Sequence, residues 1–212
     1  MNRQERIPEI GASFPCGNLL IGVTGSVGVL NVPLYLFLLR QSFAKEIHIM
    51  MSRAAQEFLR PYSLRLLSGN PVFTDGFQIT ETIKVPHIEL TRRADLLLIM
   101  PATANIIGKA ANGICDDLIS TSIVACKAPV VFVPSMNEAM WSNKAVQQNV
   151  EKLKSFGYHL IEPSSGYEIA DMKETYGAMP TFPSIVEQLE KIIAGRNFDA
   201  GELRTAAFEM KE

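Results

Sequence analysis

The chain has 212 residues, of which 47% are hydrophobic and 20% charged, and this gives room for one sizeable globular α/β domain. Its formal net charge of -2 and the lack of a long basic run argue against nucleic acid or an anionic membrane as the main partner. The longest apolar runs, such as Leu96–Met100, are too short to span a bilayer, and three scattered cysteines do not indicate a disulfide framework or a zinc site, so we expect a cytoplasmic protein without a metal.

Short apolar runs alternate with amphipathic stretches along the chain, which predicts strands alternating with helices. The predicted strands are Asn18–Val23, Glu46–Met51, Asp95–Met100, Pro129–Val133 and Tyr158–Ile161. The predicted helices are a first one that ends at Gln41 and further ones at Ser52–Leu59, Pro61–Ser68, Asn105–Ala125 with a break near Gly113, Lys144–Phe156 and Thr181–Ala194. Because the strands are continuous apolar blocks, we expect an α/β fold with a parallel sheet covered by helices on both faces.

The remaining segments show neither a strand nor a helix period. Residues 1–17 are predicted to form an N-terminal extension and residues 196–212 a polar C-terminal tail, so the single domain spans residues 18–195. Gly69–Pro86 has scattered turn formers, which predicts irregular structure. Residues 166–183 mix Gly, Pro, Met and Tyr with charges and predict a long loop of the kind that often serves as a lid.

The turn Thr24–Gly28 joins the first strand to its helix, where free backbone N–H groups favour an anion. Gly25 and Ser26 could hold a phosphate there, although many proteins use such residues only to cap a helix. The glycine pattern matches neither a nucleotide P-loop nor a dinucleotide fingerprint, which favours a mononucleotide phosphate. Ser52, after the second strand, has the same two interpretations: a helix cap, or a phosphate or ribityl contact.

Three histidines are present, and one of them is a candidate for proton transfer. His87 precedes the third clear strand, where an imidazole near neutral pKa could move a proton, although a lone histidine is more often a surface or core residue. His48 and His159 alternate with apolar neighbours within strands, so we expect both to be structural.

Polar residues follow two neighbouring strands at the point where each ends. Pro101–Asn105 contains two small alanines, which allow a flat ligand to approach the backbone, and Asn105 offers a donor and an acceptor. Thr103 could alternatively be only a helix cap. Asn137 follows the next strand and has no obvious packing role. Since both loops lie at the carboxyl edge of the sheet, we expect them to converge on one ligand.

Taken in order, these segments resemble the family of homo-oligomeric flavin-containing cysteine decarboxylases. The matching segments are Gly22–Ser26, Pro86–Leu90, Pro101–Asn105, Ala111–Leu118 and Pro134–Trp141. The resemblance extends from about Leu19 to Ile193. It implies a Rossmann-like, flavodoxin-like subunit that forms trimers, or dodecamers built of trimers, with FMN at the trimer contacts.

The resemblance also implies roles for particular residues. Those expected to hold the FMN phosphate side are Gly25, Ser26, Val27 and Ser52. Those expected beside the flavin are Thr103, Ala104, Asn105 and Met140, the last of which would also border the substrate.

His87 would be the catalytic base, and Asn137 would bind the carboxylate of the substrate. Arg92 matches a family arginine near the site. Arg93 stands where the family commonly has tryptophan, so the wall beside His87 departs from the family pattern.

The family has two main enzyme branches, which differ in the segment 166–183. Phosphopantothenoylcysteine decarboxylases of coenzyme A biosynthesis carry a cysteine there, at the position of Asp171. Peptidyl-cysteine decarboxylases lack it and use a substrate clamp that resembles this segment, from the aromatic-Glu-Ile start at Tyr167 to the Met-Pro end at Met179. We therefore expect oxidative decarboxylation of the C-terminal cysteine of a precursor peptide, as in lantibiotic biosynthesis, with Tyr167, Asp171 and Met179 contacting the peptide.

Three alternatives remain within the family. Phosphopantothenoylcysteine decarboxylase is the first alternative. A non-catalytic regulatory subunit is disfavoured because His87 is retained and the tail is short and of mixed charge. A flavin prenyltransferase is disfavoured because its usual pattern lacks the Met-Asn…Met-Trp loop found at residues 136–141.

Overall fold

The structure, a computed structural model, describes the backbone of residues 14–209 and the side chains of residues 14–195. Most of the predicted N-terminal extension lies outside the described residues, and the first strand begins within that extension, at Cys16. The strands of the main sheet are β1 Cys16–Val23, β2 Ala44–Met51, β3 Val72–Phe73, β4 Leu96–Ala102, β5 Val130–Pro134 and β6 His159–Leu160.

The six strands are parallel and lie in the order β3-β2-β1-β4-β5-β6. This is the order of a Rossmann-like sheet, and it confirms the predicted fold class. The first strand, β1, lies in the middle of the sheet, with β2 and β3 on one side of it and β4, β5 and β6 on the other. The order therefore reverses between β1 and β4, and their carboxyl ends diverge to leave a crevice there.

Helices cover both faces of the sheet. They are α1 Val32–Ser42, α2 Arg53–Gln56, α3 Pro61–Ser68, α4 Pro86–Arg93, α5 Ala104–Ala111, α6 Leu118–Ala125, α7 Glu138–Trp141, α8 Lys144–Ser155 and α9 Phe182–Glu209. A short 3-10 helix, Val27–Asn31, leads into α1. In the described part of the chain, no helix combines the length and apolarity needed to cross a membrane.

The core consists of two apolar layers, one on each face of the sheet. Successive side chains of a strand point to opposite faces, so Leu19 and Ile21 of β1 enter one layer and Leu20 enters the other. Helices α1, α3 and α9 cover the first layer, and α4, α5, α6 and α8 cover the second. Burial on both faces explains why the strands have continuous apolar sequences without polar alternation.

Three predicted boundaries were wrong. The segment Gly69–Pro86 contains the edge strand β3, whose two residues are too few to show a period. Strand β4 continues through Pro101, with an irregular register against β5 after Ile99. The last helix α9 continues to Glu209, well into the segment predicted to be a tail.

The predicted long loop was also wrong in part, because it contains an antiparallel hairpin. Its strands are β7 Ser164–Tyr167 and β8 Glu174–Ala178, and among the described strands they pair only with each other. All of their residues except Gly177 are exposed or half-buried, so the sequence lacks the apolar alternation of a strand with one buried face. By contrast, the expected break near Gly113 is confirmed, because residues 112–117 separate α5 from α6.

Candidate functional site

A cleft of about 370 Å³ lies at the carboxyl ends of β1, β2 and β4, where the strand order reverses. Four of the predicted cofactor residues line it, namely Gly25, Ser52, Thr103 and Asn105. The N-terminal part of α6 forms another wall of the cleft. The topology thus brings together residues that are far apart in the sequence.

The buried hydroxyl of Thr24 joins the β1 and β4 sides of the cleft. Its Oγ1 donates to the carbonyl of Pro101 over 2.7 Å and accepts from the backbone N–H of Thr103 over 3.1 Å. The backbone N–H of Thr24 also donates to Pro101. Hydrogen bonds of Thr24 therefore hold the two strand ends together at the cleft.

Ser52 and Thr103 both cap helices, as one of the two sequence interpretations held. The Ser52 hydroxyl accepts from the N–H of Ala55 over 3.2 Å, and the Thr103 hydroxyl accepts from the N–H of Ile106 over 3.4 Å. The backbone N–H of Ser52 also donates to Val23 at the end of β1. A hydroxyl that accepts in a cap still has its own proton to donate, so capping does not exclude ligand binding.

Gly25 is required by the close approach of two loops. A Cβ atom at this position would collide with the Cβ of Ala54, and it would lie 2.7 Å from the backbone carbon of Ala54. The absence of a side chain lets the loop after β1 lie directly against α2 and keeps the cleft open between them.

Two cations line the cleft, and they differ in their partners. Lys109 lies between Asp116 and Asp117, with its Nζ 2.7 Å and 2.6 Å from their carboxylate oxygens. Burial would lower the pKa of Lys109, but the two carboxylate hydrogen bonds outweigh it and raise the pKa. The side chain of Arg53 forms no salt bridge with any described residue. Arg53 therefore carries the uncompensated positive charge of the cleft.

The sequence interpretation did not single out Thr24, Arg53 or Lys109 as site residues. Lys109 follows Asn105 by four residues in α5, and both line the cleft. This spacing places two residues on one face of a helix, and it was the available signal for Lys109. Arg53 follows the predicted contact Ser52 directly. Thr24 had no such signal, because its role depends on Pro101, 77 residues away.

Ser26 lies beside the cleft without lining it. Its hydroxyl donates to the Oγ of Ser135 over 3.0 Å and accepts from the N–H of Gly28. Ser26 therefore joins the loop after β1 to the loop after β5. The predicted contacts Val27 and Ala104 are also absent from the lining of this cleft.

A second group of polar residues lies after β5. Asn137 caps the short helix α7, where its Oδ1 accepts from the N–H of Met140 over 2.9 Å. Its Nδ2 donates to Oε1 of Glu168 in the hairpin over 3.3 Å. The cap gives Asn137 a local structural role, because it fixes the orientation of the amide. Met140 is 46% exposed next to it.

The predicted hairpin residues differ in their surroundings. Tyr167 is 68% exposed, and Asp171 forms an exposed ion pair with Lys173 over 2.9 Å. Met179 is half-buried and packs against the core. The hydroxyl of Tyr35 donates to the carbonyl of Pro180, which fixes the C-terminal end of the hairpin to α1.

His87 and Arg92 lie on α4, and neither lines the cleft of this single subunit. His87 is half-buried near the start of the helix, and Arg92 is exposed. Helix α4 packs against α6, whose first residues form a wall of the cleft. His48 and His159 lie in β2 and β6, and burial lowers the pKa of each imidazole. In the described residues, no group of three His, Cys, Asp or Glu side chains could hold a metal ion.

The sequence matches the Flavoprotein family over residues 15–194. A curated relative, the coenzyme A biosynthesis bifunctional protein CoaBC of Bacillus subtilis, is 39% identical over 150 residues, which cover 71% of this chain and 37% of that protein. The chain thus spans less than half the length of the CoaBC relatives that it matches. Mersacidin decarboxylase of Bacillus sp. (strain HIL-Y85/54728) is 34% identical over 154 residues, which cover 72% of this chain and 77% of that protein.

Solved structures of similar proteins have the same fold. The crystal structure of the FMN-dependent cysteine decarboxylase SpaF has a TM-score of 0.68 and 32% sequence identity, covering 82% of this chain and 97% of SpaF.

Proposed function

Because this chain belongs to the Flavoprotein family, we propose that it binds FMN and oxidatively decarboxylates the C-terminal cysteine of a ribosomally made precursor peptide to an aminoenethiol. The observation that carries the proposal is a cofactor-sized cleft at the switch point of the sheet, on the same edge as Asn137 and a hairpin without cysteine. Two similar proteins support the proposal. One is mersacidin decarboxylase, and the other is SpaF, which is described as an FMN-dependent cysteine decarboxylase.

The residues of the cleft fit FMN. Its volume of about 370 Å³ is in the range of small-molecule sites. We assign the phosphate to the side formed by Gly25, Ser52 and Arg53, because this side offers a hydroxyl donor and the uncompensated cation. Thr103 and Asn105 would lie beside the ring system. Contacts of FMN with Ser26, Val27, Ala104 and Met140 stay predictions.

Bound FMN would supply the two-electron oxidation that makes loss of carbon dioxide from an ordinary cysteine feasible. Asn137 would donate from Nδ2 to the carboxylate of the peptide, with its amide orientation fixed by the cap on α7. The imidazole of His87 would accept and return protons. Arg92 would add a positive charge for the carboxylate. Tyr167 and Asp171, both exposed on the hairpin, would contact the peptide, and closure of the hairpin would exclude water.

A homo-oligomer, either a trimer or a dodecamer built of trimers, is also part of the proposal. Leu30 and Leu34 of the first helical segment are 61% and 59% exposed, and Phe37 follows them on the same side. Large apolar side chains grouped in this way favour contact with another protein surface. A partner subunit could bring His87 to the FMN of its neighbour, which would explain why His87 does not line the cleft of its own chain. Light scattering would measure the state of assembly.

Phosphopantothenoylcysteine decarboxylase is the second candidate, and the 39% identity to CoaBC favours it. The sequence of the hairpin argues against it, because Asp171 stands where that branch has its cysteine. The cysteines of the chain are Cys16, Cys115 and Cys126, and all precede the hairpin. We therefore place the chain in the peptide branch.

The test is to incubate the FMN-loaded protein in air with an acetylated pentapeptide of four alanines and a terminal cysteine, and separately with phosphopantothenoylcysteine. A mass loss of about 46 Da from the peptide, the sum of carbon dioxide and two hydrogens, supports the proposal. A loss of about 44 Da from phosphopantothenoylcysteine would assign the chain to the coenzyme A branch. If neither mass changes while FMN stays bound, a regulatory role replaces the proposal.

His87→Asn is the matched variant for this experiment. We expect it to fold and to retain FMN, because the change leaves the proposed phosphate side at Gly25, Ser52 and Arg53 untouched, but to lose turnover. Turnover close to that of the wild type would remove the proton-transfer role from His87.

A further inference from the structure

Two hydrogen bonds join the hairpin β7–β8 to the loop 135–137 that follows β5. At the base of the hairpin, the backbone N–H of Met136 donates to the carbonyl of Gly177 over 3.1 Å. At the far end of β7, the carboxylate of Glu168 accepts from Nδ2 of Asn137 over 3.3 Å. The second contact is exposed and joins two side chains that are 31 residues apart.

The backbone of Glu168 is held by the turn of the hairpin. Its N–H donates to the carbonyl of Lys173, and its carbonyl accepts from the N–H of Met172, each over 2.8 Å. The side chain therefore starts from a fixed position, which lowers the entropy cost of reaching Asn137. No salt bridge of the described residues includes Glu168, so no cation holds its carboxylate elsewhere.

Asn137 has limited capacity for this contact. Its Oδ1 is the acceptor of the α7 cap, so only Nδ2 can donate to an anion. In the structure that amide faces a carboxylate of the chain itself. Two carboxylates at one amide would repel each other, because the like charges would lie only a few ångströms apart.

We propose that Glu168 is an internal competitor of the substrate carboxylate. It holds the hairpin on Asn137 while the site is empty, and the C-terminal carboxylate of a peptide displaces it. This inference rests on the proposed function, which assigns the same amide to the substrate. The exchange replaces one charge-assisted hydrogen bond by another, so displacement costs little, and it frees the hairpin to rearrange around the peptide.

Three variants test the proposal in the FMN-loaded protein. Glu168→Ala removes the competitor, and Glu168→Gln keeps an acceptor of similar shape without the charge. Glu174→Ala is the matched control, since it removes an exposed glutamate of the same hairpin whose side chain makes no hydrogen bond or ion pair in the described part of the chain. The peptide is the acetylated tetra-alanyl-cysteine, measured by calorimetry in a His87→Asn background to prevent turnover.

We expect Glu168→Ala to bind the peptide about three- to tenfold more tightly than its parent, the value of one net hydrogen bond. Glu168→Gln should show a smaller gain, and Glu174→Ala none. In the absence of peptide, hydrogen exchange of the amides in 164–178 should rise several-fold in Glu168→Ala only.

Weaker or unchanged peptide binding by Glu168→Ala would overturn the proposal, and so would an equal gain in Glu174→Ala, which would point to a general charge effect. Unchanged hydrogen exchange in Glu168→Ala would overturn it as well. If neither the parent nor any variant binds the peptide while FMN is retained, the proposed function fails together with the competition. Equal binding by all of them would instead remove only the competition.

Discussion

The cleft and the hairpin lie at the same edge of one sheet, but they differ in the hydrogen bonds that hold them in place. At the cleft, hydrogen bonds of Thr24 join the ends of neighbouring strands, and Thr24 is only 4% exposed. The hairpin contacts the loop after β5 through one backbone and one exposed side-chain hydrogen bond. Contacts shielded from water resist opening, whereas exposed contacts exchange readily. The difference suits a preformed cofactor site beside a segment that adapts to a substrate.

Gly25→Val should disrupt the cleft, and it has the largest expected effect. The new side chain would collide with Ala54 and narrow the cleft. Overpacking typically costs about 1–3 kcal/mol, so FMN affinity should fall about tenfold to a hundredfold. Quenching of flavin fluorescence during titration measures this affinity. Gly76→Val is the control, because a Cβ at Gly76 meets nothing within 4 Å. Unchanged FMN affinity in Gly25→Val would show that FMN binds elsewhere.

Gly177→Ala should disrupt the attachment of the hairpin and leave the cleft intact. Gly177 has a φ of 136°, which other residues rarely adopt, and a Cβ there would collide with the carbonyl oxygen of Met136. Strain of about 1–3 kcal/mol should detach the base of the hairpin and weaken peptide binding about tenfold. FMN content, read from the absorbance spectrum, should stay at the parent level. Loss of FMN with unchanged peptide binding would show that the cleft and the hairpin do not act separately.

Thr24→Val should measure how much the hydroxyl of Thr24 stabilises the strand ends at the cleft. Valine has nearly the same shape but leaves the partly buried N–H of Thr103 without its hydroxyl acceptor. We expect the free energy of unfolding to fall by about 1–3 kcal/mol, as measured by urea denaturation. Thr24→Ser keeps the hydroxyl and serves as the control. Equal stability of the valine and serine variants would mean that this hydrogen bond does not hold the cleft together.

Acid should lower the free energy of unfolding through His48 in the sheet, and this is the smallest of the expected effects. Burial lowers the pKa of His48 in β2 below its usual 6.5, with Glu46 raising it and Arg93 lowering it further. The unfolded chain therefore binds a proton more readily than the folded chain, so stability is complete above pH 6.5 and falls as pH drops toward the folded pKa. His48→Gln should flatten urea midpoints between pH 7 and 5.5, read at about half-unit steps. A slope unchanged by this variant would assign the acid sensitivity to other groups, while the hairpin contains no histidine.

Local signals predicted much of the scaffold and part of the cleft. The apolar runs predicted five of the six strands of the main sheet, because a strand buried on both faces needs a continuous apolar sequence. The caps at Ser52 and Thr103 were predictable, since a side-chain oxygen at a helix start bonds only to the next residues of the chain. The strand β3 and the hairpin had no such signal, because β3 is too short and the hairpin strands have almost no fully buried residues.

The sequence by itself determined the class of the fold, the edge of the sheet where polar loops meet, and the motifs that place the chain in its family. The tertiary structure decided the strand order, the bond from Thr24 to Pro101, the difference between Arg53 and Lys109, and the contact of Asn137 with Glu168. Most of these features join residues that are distant along the chain, as Thr24 and Pro101 are. Periodicity and helix caps reflect interactions over a few neighbouring residues, whereas such long-range pairs exist only after the strands have packed side by side.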